Sequence, residues 1–477
     1  MPWIRNVLAC VAVCASSGSA EAASWPQFRG PNASGVADDG QKLPAEIGPE
    51  QNVVWKTPLP PGHSSPAIQG DRVYLTGVRG QTLLTIALDR ATGKVLWEAK
   101  APHPASEEIH RIGSHAQPSP AADGEVVVSF FGSSGLLCYD PDGKLLWQRP
   151  MGPFKNNFGA GSSPILEGNW VILSQDHDTD SFLTAIDKRT GKTVWNTDRS
   201  EFPRGYATPV IWTVAGKKQI VVVGTLRVIG YDFETGTEIW TVRGVARITN
   251  ITPVVGADGI LYVAAWAPGG DDSDRIQVPA FDETTATQDA NKNGTLELDE
   301  VPDGPQKQRF NQIDRDKNGH ITKLEYDYMR QIFHNAHNVM LAIRPGGTGD
   351  ITRSHVLWTQ NKQLPYVPSP LYYNGYVFMV KDGGILTCLD AKTGKPTKQG
   401  RVSGRASYFA SPVAGDGKLY LLSQRGELTV VSAEPQWKEL ATARFDDDAY
   451  STPAIAGGRI YLRAGGYLYC FGTPDAK

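Results

Sequence analysis

The sequence has few cysteines, little net charge and no long hydrophobic run after its first residues. Its 477 residues carry 47 Lys and Arg against 50 Asp and Glu, a net charge of −3, so no strong field favours nucleic acid or anionic lipid. No later segment is apolar enough to span a membrane. Five cysteines occur, and only Cys138, Cys388 and Cys470 lie beyond the N-terminal leader. That odd number excludes a disulfide framework.

Common catalytic motifs are also missing. The chain has no G-x-S-x-G, no P-loop, no H-E-x-x-H and no strand-bound G-x-G-x-x-G, so it shows no signature of a serine hydrolase, a nucleotide-binding enzyme or a zinc protease. Glycine and proline are plentiful, at 50 and 33 residues, and aromatic residues accompany them. This composition predicts many short strands that are joined by tight turns.

The first 23 residues have the layout of a secretory signal peptide. One Arg precedes an apolar run, and small residues follow it. Such a leader is too short to remain as a membrane span. Cleavage after Ala22 or Ala23 predicts an exported protein of the periplasm or the extracellular space, with an N-terminal arm over 24–51. A lipid anchor on Cys10 or Cys14 is a less favoured alternative.

Eight copies of one unit fill most of the remaining chain. Its first half is [ST]-P, apolar residues, a Gly/Asp turn and an alternating strand, as in SSPILEGNWVIL. The prolines are at positions 66, 120, 164, 209, 253, 370, 412 and 453. The second half is a strand, a tight loop and a Trp, as in ALDRATGKVLW. Proline suits the start of an inner strand, and the Gly of T-G-K supplies the positive φ of a hairpin. Each copy therefore predicts four short antiparallel strands.

Copies of this unit must stack around a ring, because a single small sheet cannot bury both of its faces. The Trp positions are 55, 97, 147, 195, 240, 358 and 437, and Lys398 fills the slot of the sixth copy. Trp55 precedes the first copy, whereas the last copy lacks a Trp. We predict an all-β, eight-bladed β-propeller of four-stranded antiparallel blades, in which the N-terminal strand completes the C-terminal blade.

The tryptophans and cysteines of the repeat are interpreted as packing residues. Large aromatic side chains dominate buried area, so the tryptophans are expected between blades. Cys138, Cys388 and Cys470 occupy the position that Ala87 and Ala185 fill in other copies. They are predicted to be buried in separate blades and not to form a redox pair.

The A-x-D-x-x-T-G-K-x-x-W unit resembles the tryptophan-docking repeat of the pyrroloquinoline-quinone (PQQ) propeller superfamily. That superfamily includes quinoprotein alcohol dehydrogenases and the outer-membrane assembly factor BamB. The likeness covers most of Asn52 to Gly472 outside an insertion, and the WPQFRGPN opening is similar to that of exported PQQ-like repeat proteins. In the dehydrogenase branch, the resemblance implies a quinone that is held by adjacent cysteines and a Trp floor, and a calcium ion near a catalytic Asp.

This chain departs from the dehydrogenase pattern. It has no Cys-Cys pair, and we find no paired Asp motif or Trp-Gly-Gly stretch at the matching places. A shared fold does not imply a shared function. No catalytic residue is therefore assigned from the resemblance.

The fifth copy contains an insertion. Its Pro-to-Trp interval, from Pro253 to Trp358, is 105 residues, whereas three other copies have 31. The excess of 74 residues is predicted between the middle strands and holds DANKNGTLELDE and DRDKNGHITKLE. Both segments match the twelve-residue EF-hand loop, with Gly at position 6. We predict a small α-helical EF-hand insertion over 267–337, between propeller segments 52–266 and 338–473.

The predicted calcium ligands follow from the loop positions. They are Asp289, Asn291, Asn293, the Thr295 carbonyl, Glu297 and Glu300 in the first loop, and Asp314, Asp316, Asn318, the His320 carbonyl, Thr322 and Glu325 in the second. Asn ligands lower the charge of both loops and point to weak, structural calcium binding outside the cytoplasm.

The sequence predicts flanking helices more strongly for the second loop than for the first. Pro305 suits a helix start before the second loop, and Leu324, Tyr328, Ile332 and Phe333 predict an apolar stripe after it. Residues 276–288 make a poor entering helix for the first loop, so a polar loop without calcium remains the alternative there.

Residues just before each inner strand are expected to gather at one mouth of the channel. We name this polar and aromatic set the channel rim. It comprises His63, His115, Asn157, Phe158, Tyr206, Asn250, Tyr366, Tyr408 and Tyr450. Loops on a rigid scaffold usually carry binding, although such residues also often only cap strands.

Three functional interpretations remain open. The favoured one is an exported, monomeric, calcium-stabilised binding or scaffolding module, without quinone chemistry, for an unknown protein or polymer of the cell envelope. The second is a PQQ-dependent dehydrogenase with a divergent pocket, and the third is another enzyme, for example a carbohydrate-directed one, that uses the rim. The missing cysteine pair and acidic residues favour the first, so calcium is the predicted cofactor and PQQ belongs only to the second.

Overall fold

The computed structural model describes residues 23–37, 40–103, 107–178 and 180–473. The predicted signal peptide lies outside these residues except for Ala23. Eight antiparallel sheets follow one another around an axis and form an eight-bladed propeller, which confirms the predicted all-β, eight-bladed architecture. The first strands of most neighbouring blades contact each other, including those of the last and the first blade.

Blades one to four lie in chain order after a single strand, β1 (Val53–Pro58). Their strands are β2 (Ala67–Gln69), β3 (Arg72–Arg79), β4 (Thr82–Asp89) and β5 (Val95–Lys100) in the first blade; β6 (Ala121–Ala122), β7 (Val127–Phe130), β8 (Leu136–Tyr139) and β9 (Leu145–Arg149) in the second; β10 (Ile165–Glu167), β11 (Trp170–Gln175), β12 (Phe182–Asp187) and β13 (Thr193–Asp198) in the third; and β14 (Val210–Val214), β15 (Lys217–Gly224), β16 (Arg227–Asp232) and β17 (Glu238–Arg243) in the fourth.

The fifth blade is interrupted by helices. Its segment contains β18 (Val254–Val255), β19 (Leu261–Ala265), α1 (Phe281–Gln288), β20 (Leu296–Glu297), α2 (Pro305–Gln308), α3 (Phe310–Ile313), β21 (His320–Ile321), α4 (Lys323–Asn335), β22 (Val339–Ile343), β23 (Gly349–Asp350), α5 (Thr352–His355) and β24 (Val356–Gln360). The blade itself pairs β18, β19, β22 and β24. Among the described residues, no helix is both long and apolar enough to cross a membrane.

The last three blades complete the ring. Their strands are β25 (Leu371–Tyr373), β26 (Tyr376–Lys381), β27 (Ile385–Asp390) and β28 (Pro396–Arg401) in the sixth; β29 (Val413–Gly415), β30 (Lys418–Leu422), β31 (Glu427–Ser432) and β32 (Glu439–Arg444) in the seventh; and β33 (Ala454–Ala456), β34 (Arg459–Ala464) and β35 (Tyr467–Gly472) in the eighth. β1 pairs with β35 and places Trp55 opposite Cys470. This pairing confirms the predicted closure by the N-terminal strand.

Burial follows the position of a strand in its blade. The middle strands β3 and β4 are buried over nearly their whole length, because neighbouring blades cover both faces. The outer strand β5 alternates between half-buried and exposed residues, as expected for a strand with one face in contact. The cysteines follow the predicted register, since Cys138 lies opposite Trp147 and Cys388 lies opposite Lys398. All three described cysteines are buried and free.

Tryptophans link five of the outer strands to the next blade. In five blades the indole N–H donates to a loop carbonyl of the following blade, at 2.8–3.1 Å: Trp55 to Arg90, Trp97 to Pro141, Trp147 to Lys188, Trp195 to Phe233 and Trp358 to Ala391. Each of these rings packs against the glycine of the T-G-K loop or its equivalent in that blade. The closing strand takes part, because Trp55 belongs to the eighth blade and docks on the first.

The expectation that Trp437 holds the docking position of its own copy is wrong. Val430 pairs with Ala441 there, and Trp437 precedes the strand. The Trp437 ring instead lies 4.1 Å from the Lys398 ammonium, which donates to the Trp437 carbonyl. Lys398 therefore makes the contact that an indole makes in other blades.

Candidate functional site

A closed ring of hydroxyl groups surrounds the propeller axis. In every copy, the Ser or Thr before the repeat proline donates its backbone N–H to the side-chain oxygen of the equivalent residue in the next blade, at 2.9–3.2 Å. The order is Ser65, Ser119, Ser163, Thr208, Thr252, Ser369, Ser411, Thr452 and back to Ser65. We call these eight residues the hydroxyl ring. The [ST]-P motif contains these residues, but the sequence analysis assigns a role only to its proline.

A cavity of about 160 Å³ lies on the axis, and all eight residues of the hydroxyl ring line it. We call this cavity the axial cup. Its remaining lining residues are Phe28, His63, Ile112, Gly113, Gln117, Phe158, Gly161, Tyr206, Asn250, Tyr366, Val367, Phe409 and Tyr450. Lining of this kind, mostly apolar with a few polar groups, is typical of ligand sites.

Aromatic pairs form the wall of the axial cup. The His63 and Tyr450 rings are stacked with centroids 4.1 Å apart, and Phe409 lies 5.3 Å from Tyr450. Across the cup, Phe158 meets Tyr206 edge to face at 6.2 Å. These geometries hold rigid aromatic surfaces at the mouth.

Six of the nine channel-rim residues line the cup: His63, Phe158, Tyr206, Asn250, Tyr366 and Tyr450. The rim prediction placed these side chains at one mouth of the channel, and the structure brings them together there.

The other three channel-rim residues do not line the cup. Tyr408 is buried, and its hydroxyl donates to the Gly404 carbonyl. The His115 Nε2 bonds to the Glu107 carbonyl at 2.8 Å. Asn157 is exposed. Their neighbours Phe409, Gln117 and Phe158 take these places, because irregular loops shift the inward position by one or two residues.

No carboxylate, lysine or arginine lines the axial cup among the described residues. Burial, followed by the charge of Arg463, lowers the pKa of His63 to about 4, so its imidazole is neutral at pH 7. Burial also raises the pKa of Tyr206 above its ordinary value. The cup surface is therefore uncharged near neutral pH.

The N-terminal arm closes the channel on the side opposite the rim. Trp25 forms a bridge with Ile68 in the first blade, and Val36 forms one with Ala414 in the seventh. Between them, the Asn32 side chain exchanges two hydrogen bonds with the backbone of Ile211 in the fourth blade. The blade residues follow the hydroxyl ring in sequence, whereas the rim residues precede it. The arm therefore lies beyond the ring from the rim.

Two residues of the arm reach the centre of the channel. Phe28 lines the axial cup. Arg29 is fully buried, and its Nη2 donates to the Pro370 carbonyl at 2.7 Å. Because the arm crosses from the first blade to the seventh, it covers the end of the cup opposite the rim, so the described residues form a blind cup that opens at the rim. Sequence reasoning recognised WPQFRGPN as a signature but assigned it no position.

The second loop of the insertion brings three of its predicted ligands together. Carboxylate oxygens of Asp314, Asp316 and Glu325 lie within 4.8 Å of one another. Glu325 accepts the backbone N–H of Arg315 at 2.8 Å, and Asp314 accepts that of Gly319 at 2.9 Å. A carboxylate cluster with glycine at the turn matches the donor set that calcium prefers.

The first loop has the same backbone pattern. Glu300 accepts the N–H of Ala290, and Asp289 accepts that of Gly294, both at 2.9 Å. Glu297 accepts from the amides of Asn291 and Asn293. The polar groups of this loop are thus largely bonded to one another.

The two loops meet through a short strand contact. Leu296 pairs with Ile321, at position 8 of each loop. The Thr295 hydroxyl donates to Glu297, and the His320 ring lies 2.5 Å from the same carboxylate. In the second loop, Thr322 caps α4, and Asn318 accepts the N–H of His320.

The helices of the insertion differ from expectation in two places. A helix, α1, precedes the first loop, so the prediction of a poor entering helix over 276–288 is wrong. Leu324 is 82 % exposed and is not part of the buried stripe of α4, which contains Tyr326, Met329, Ile332 and Phe333. The predicted stripe therefore begins two residues too early, at Leu324 instead of Tyr326.

The insertion packs back onto the propeller. The Tyr328 hydroxyl donates to the Glu201 carbonyl at 2.7 Å. The Arg247 guanidinium lies 5.0 Å from the Phe333 ring centre, and Lys317 pairs with Asp180 at 3.1 Å. The helix after the second loop is thereby tied to the third and fourth blades.

The residues of the axial cup do not fit the quinone site that the dehydrogenase branch implies. That site needs adjacent cysteines and an acidic calcium cluster beside the quinone. The described cysteines lie inside separate blades, and no carboxylate lines the cup among the described residues. We therefore derive no redox step at this site.

Comparisons with known proteins agree with this architecture. The family described as outer membrane protein assembly factor BamB matches residues 35–174 and 179–471. The outer membrane protein assembly factor BamB of Yersinia pestis is 24 % identical over 401 residues, which cover 78 % of this chain and 86 % of that protein.

Solved structures show the same fold. BamB from Moraxella catarrhalis superposes with a TM-score of 0.56 at 14 % identity, over 89 % of this chain and 98 % of the other. The computationally designed Ika8 protein gives 0.53 at 12 % identity, over 87 % and 98 %. Since the matched segments span most of the sequence, the chain belongs to the family of outer membrane protein assembly factor BamB.

Proposed function

We propose that this protein is an exported, non-catalytic binding or scaffolding module of the cell envelope, and that its axial cup receives part of a partner. The observation that carries this proposal is the cup itself, which is blind, aromatic and uncharged. A general acid or base would need a titratable group near its operating pH. His63 is the one histidine among the described lining residues, and burial lowers its pKa to about 4, well below neutral pH.

The location in the envelope rests on two arguments. The leader sequence has the layout of a signal peptide, and the relative from Yersinia pestis is named for outer membrane protein assembly. A protein with nearly balanced charge and rigid aromatic anchors suits protein recognition, because aromatic residues dominate binding hot spots. A partner protein of the envelope is therefore the favoured ligand.

We also propose that calcium orders the insertion, first at the second loop. Two features support this. The three carboxylates of Asp314, Asp316 and Glu325 converge within 4.8 Å, and both loops share the EF-hand spacing. An ion at this place would hold α4 against the blades through the Tyr328 and Phe333 contacts. Its role would be structural.

Affinity capture from cell envelopes tests the binding proposal. The tagged wild type is compared with a Tyr206→Ser/Tyr366→Ser variant and with Tyr467→Ser, which removes an exposed tyrosine of β35. We expect the wild type and Tyr467→Ser to retain one common partner, and the rim variant to lose it about tenfold, since aromatic anchors carry much of the binding energy.

Two results would overturn this proposal. One is retention of the partner by the rim variant when its melting temperature equals that of the wild type. The other is reduction of a redox dye by the wild type when alcohols or sugars are supplied together with PQQ and calcium. The second result would instead establish a dehydrogenase.

A further inference from the structure

The axial cup has a chemical preference that deepens the binding role proposed above and rests on it. Each hydroxyl of the ring accepts a backbone N–H from the preceding blade. A Ser or Thr hydroxyl also has one O–H donor. No acceptor for these eight O–H groups is found among the residues that the structure describes. The ring therefore offers hydrogen-bond donors to whatever enters the cup.

A buried cation lies directly behind this ring. Arg29 is 0 % exposed, and its Nη2 donates to the carbonyl of Pro370, which follows ring member Ser369. Its Nε and Nη1 have no hydrogen-bond partner within the described chain. Burial alone lowers the pKa of Arg29 to about 9, and no carboxylate offsets it. An uncompensated buried charge is costly, so this guanidinium lacks a counter-anion.

A second buried guanidinium flanks the ring at the eighth blade. Arg463 is 3 % exposed, and its Nη1 donates to the Ser64 hydroxyl at 3.1 Å, beside ring member Ser65. Its other hydrogen bonds go to the carbonyls of Thr76 and Pro60. Burial is again the single cause that lowers its pKa, to about 10. Two buried cations thus contact residues adjacent to the ring, and no described carboxylate lines the cup.

We propose that the axial cup binds a carboxylate-bearing ligand, with the carboxylate over the hydroxyl ring and an attached apolar group against the aromatic wall. Hydrogen bonds from several donors to an anion are stronger than those to a neutral group. A low-dielectric cleft with buried cations behind it also concentrates anions. The cavity of about 160 Å³ limits the apolar part to one ring or one branched side chain. The carboxylate belongs either to a free acid or to the C-terminus of a chain.

Matched acids and amides test this preference on the intact wild-type protein. Isothermal titration at pH 7 and low salt compares phenylacetate with phenylacetamide, and the peptide Ala-Ala-Leu with its C-terminal amide. We expect at least one acid to bind roughly tenfold more tightly than its amide, and the preference to fall at high salt. Preference for phenylacetate assigns a free acid, and preference for the peptide assigns a chain terminus.

Variants then locate the effect. In Arg29→Gln, the affinity for the acid should exceed the affinity for the amide by no more than about threefold. Arg29→Lys should retain most of the wild-type preference, because lysine keeps the positive charge. Arg79→Gln, which removes an exposed arginine that pairs with Glu98, is the control and should leave the ratio unchanged. If Arg29→Gln does not fold, the wild-type ratio still decides.

Equal binding of acids and amides, or no binding of either, overturns the carboxylate site. That result is separate from the envelope capture. If a partner is captured through the rim but no carboxylate preference appears, the binding module stands and this inference fails. If the acids bind but no partner is captured, the cup is a small-molecule site and the scaffolding role fails.

Discussion

At the scale of single residues, the docking glycines set how closely neighbouring blades approach. Gly191 has φ +70°, and a Cβ at this position would lie 2.8 Å from the Trp147 ring. No side chain fits there without displacing the indole. The T-G-K loop therefore needs glycine for two reasons, the backbone conformation and the contact.

We predict that Gly191→Ala destabilises the protein by about 2–4 kcal/mol, which combines left-handed strain with overpacking. Gly168→Ala is the control, because Gly168 has φ +59° but no heavy atom within 4 Å of the added Cβ. The free energy of unfolding of Gly168→Ala should fall by about 1 kcal/mol, from backbone strain alone. Urea denaturation of both variants measures the difference. Equal losses would show that the indole contact does not limit the spacing.

A buried histidine makes stability depend on pH. His177 is 1 % exposed and stacks on Phe154 with ring centroids 3.9 Å apart. Burial lowers its pKa from 6.5 to about 3. Below pH 6.5 this histidine binds a proton in the unfolded chain but stays neutral in the folded chain. The contribution of neutral His177 to the free energy of unfolding is therefore complete above pH 6.5 and is lost as the pH falls.

Between pH 7 and pH 5, the free energy of unfolding of the wild type should fall by about 2 kcal/mol more than that of His177→Phe. Each pH unit below 6.5 lowers it by about 1.4 kcal/mol. Chemical denaturation at both values gives the comparison, and the phenyl ring keeps the stack on Phe154. Parallel losses in the two proteins would mean that His177 is protonated readily in the folded state.

At the scale of elements, the insertion is the part whose order is proposed to depend on an ion. The second loop presents three converging carboxylates. In the first loop, the Glu297 carboxylate is already hydrogen-bonded to Asn291, Asn293 and the His320 ring. The second loop should therefore dominate calcium binding.

We predict that Glu325→Gln weakens calcium binding at least about tenfold, because position 12 supplies the bidentate ligand. Glu300→Gln, the same change in the first loop, should have a smaller effect. Isothermal titration with calcium measures both, and EGTA should raise proteolysis between Ala267 and His337 in the wild type. An unchanged cleavage pattern with EGTA would exclude a structural ion.

Elements with a strict repeat were predictable, and elements without one were not. The [ST]-P and Trp positions located the blades, the closing strand and the buried cysteines, because each position recurs in a fixed environment. The arm has no period. Its contacts, such as Arg29 with Pro370, join residues that are far apart in sequence, so no local pattern signals them.

The candidate site was predictable only in part, for the same reason. Sequence reasoning placed His63, Tyr206 and Tyr366 at the mouth because they precede inner strands. It failed at Tyr408 and His115, where loop geometry rather than alternation decides which side chain points inward. The fourth blade shows a further case, since β23 adds a parallel strand beside Trp240. Nothing in the repeat predicts that strand.

At the scale of the whole molecule, one strand prevents an open edge. β1 covers β35 along its length, and its Trp55 docks on the first blade. Without it the eighth blade would expose unpaired backbone groups, which promote association between molecules.

A chain that begins at residue 59 should therefore associate or precipitate, whereas a chain that begins at residue 23 should elute as a monomer. Size-exclusion chromatography with light scattering distinguishes them. Adding a synthetic peptide of residues 52–58 should partly restore the monomer, because it supplies the missing pairing. A monomeric shortened chain with an unchanged melting temperature would show that closure does not depend on this strand.

The arm and β1 also impose an order of events during synthesis. Residues 23–58 leave the ribosome long before some of their partners, which include Ala414 and Cys470. Domains generally fold as units, so this early segment must wait until the strands around residues 414 and 470 have been made. The nascent chain therefore has to be kept from premature pairing throughout its elongation.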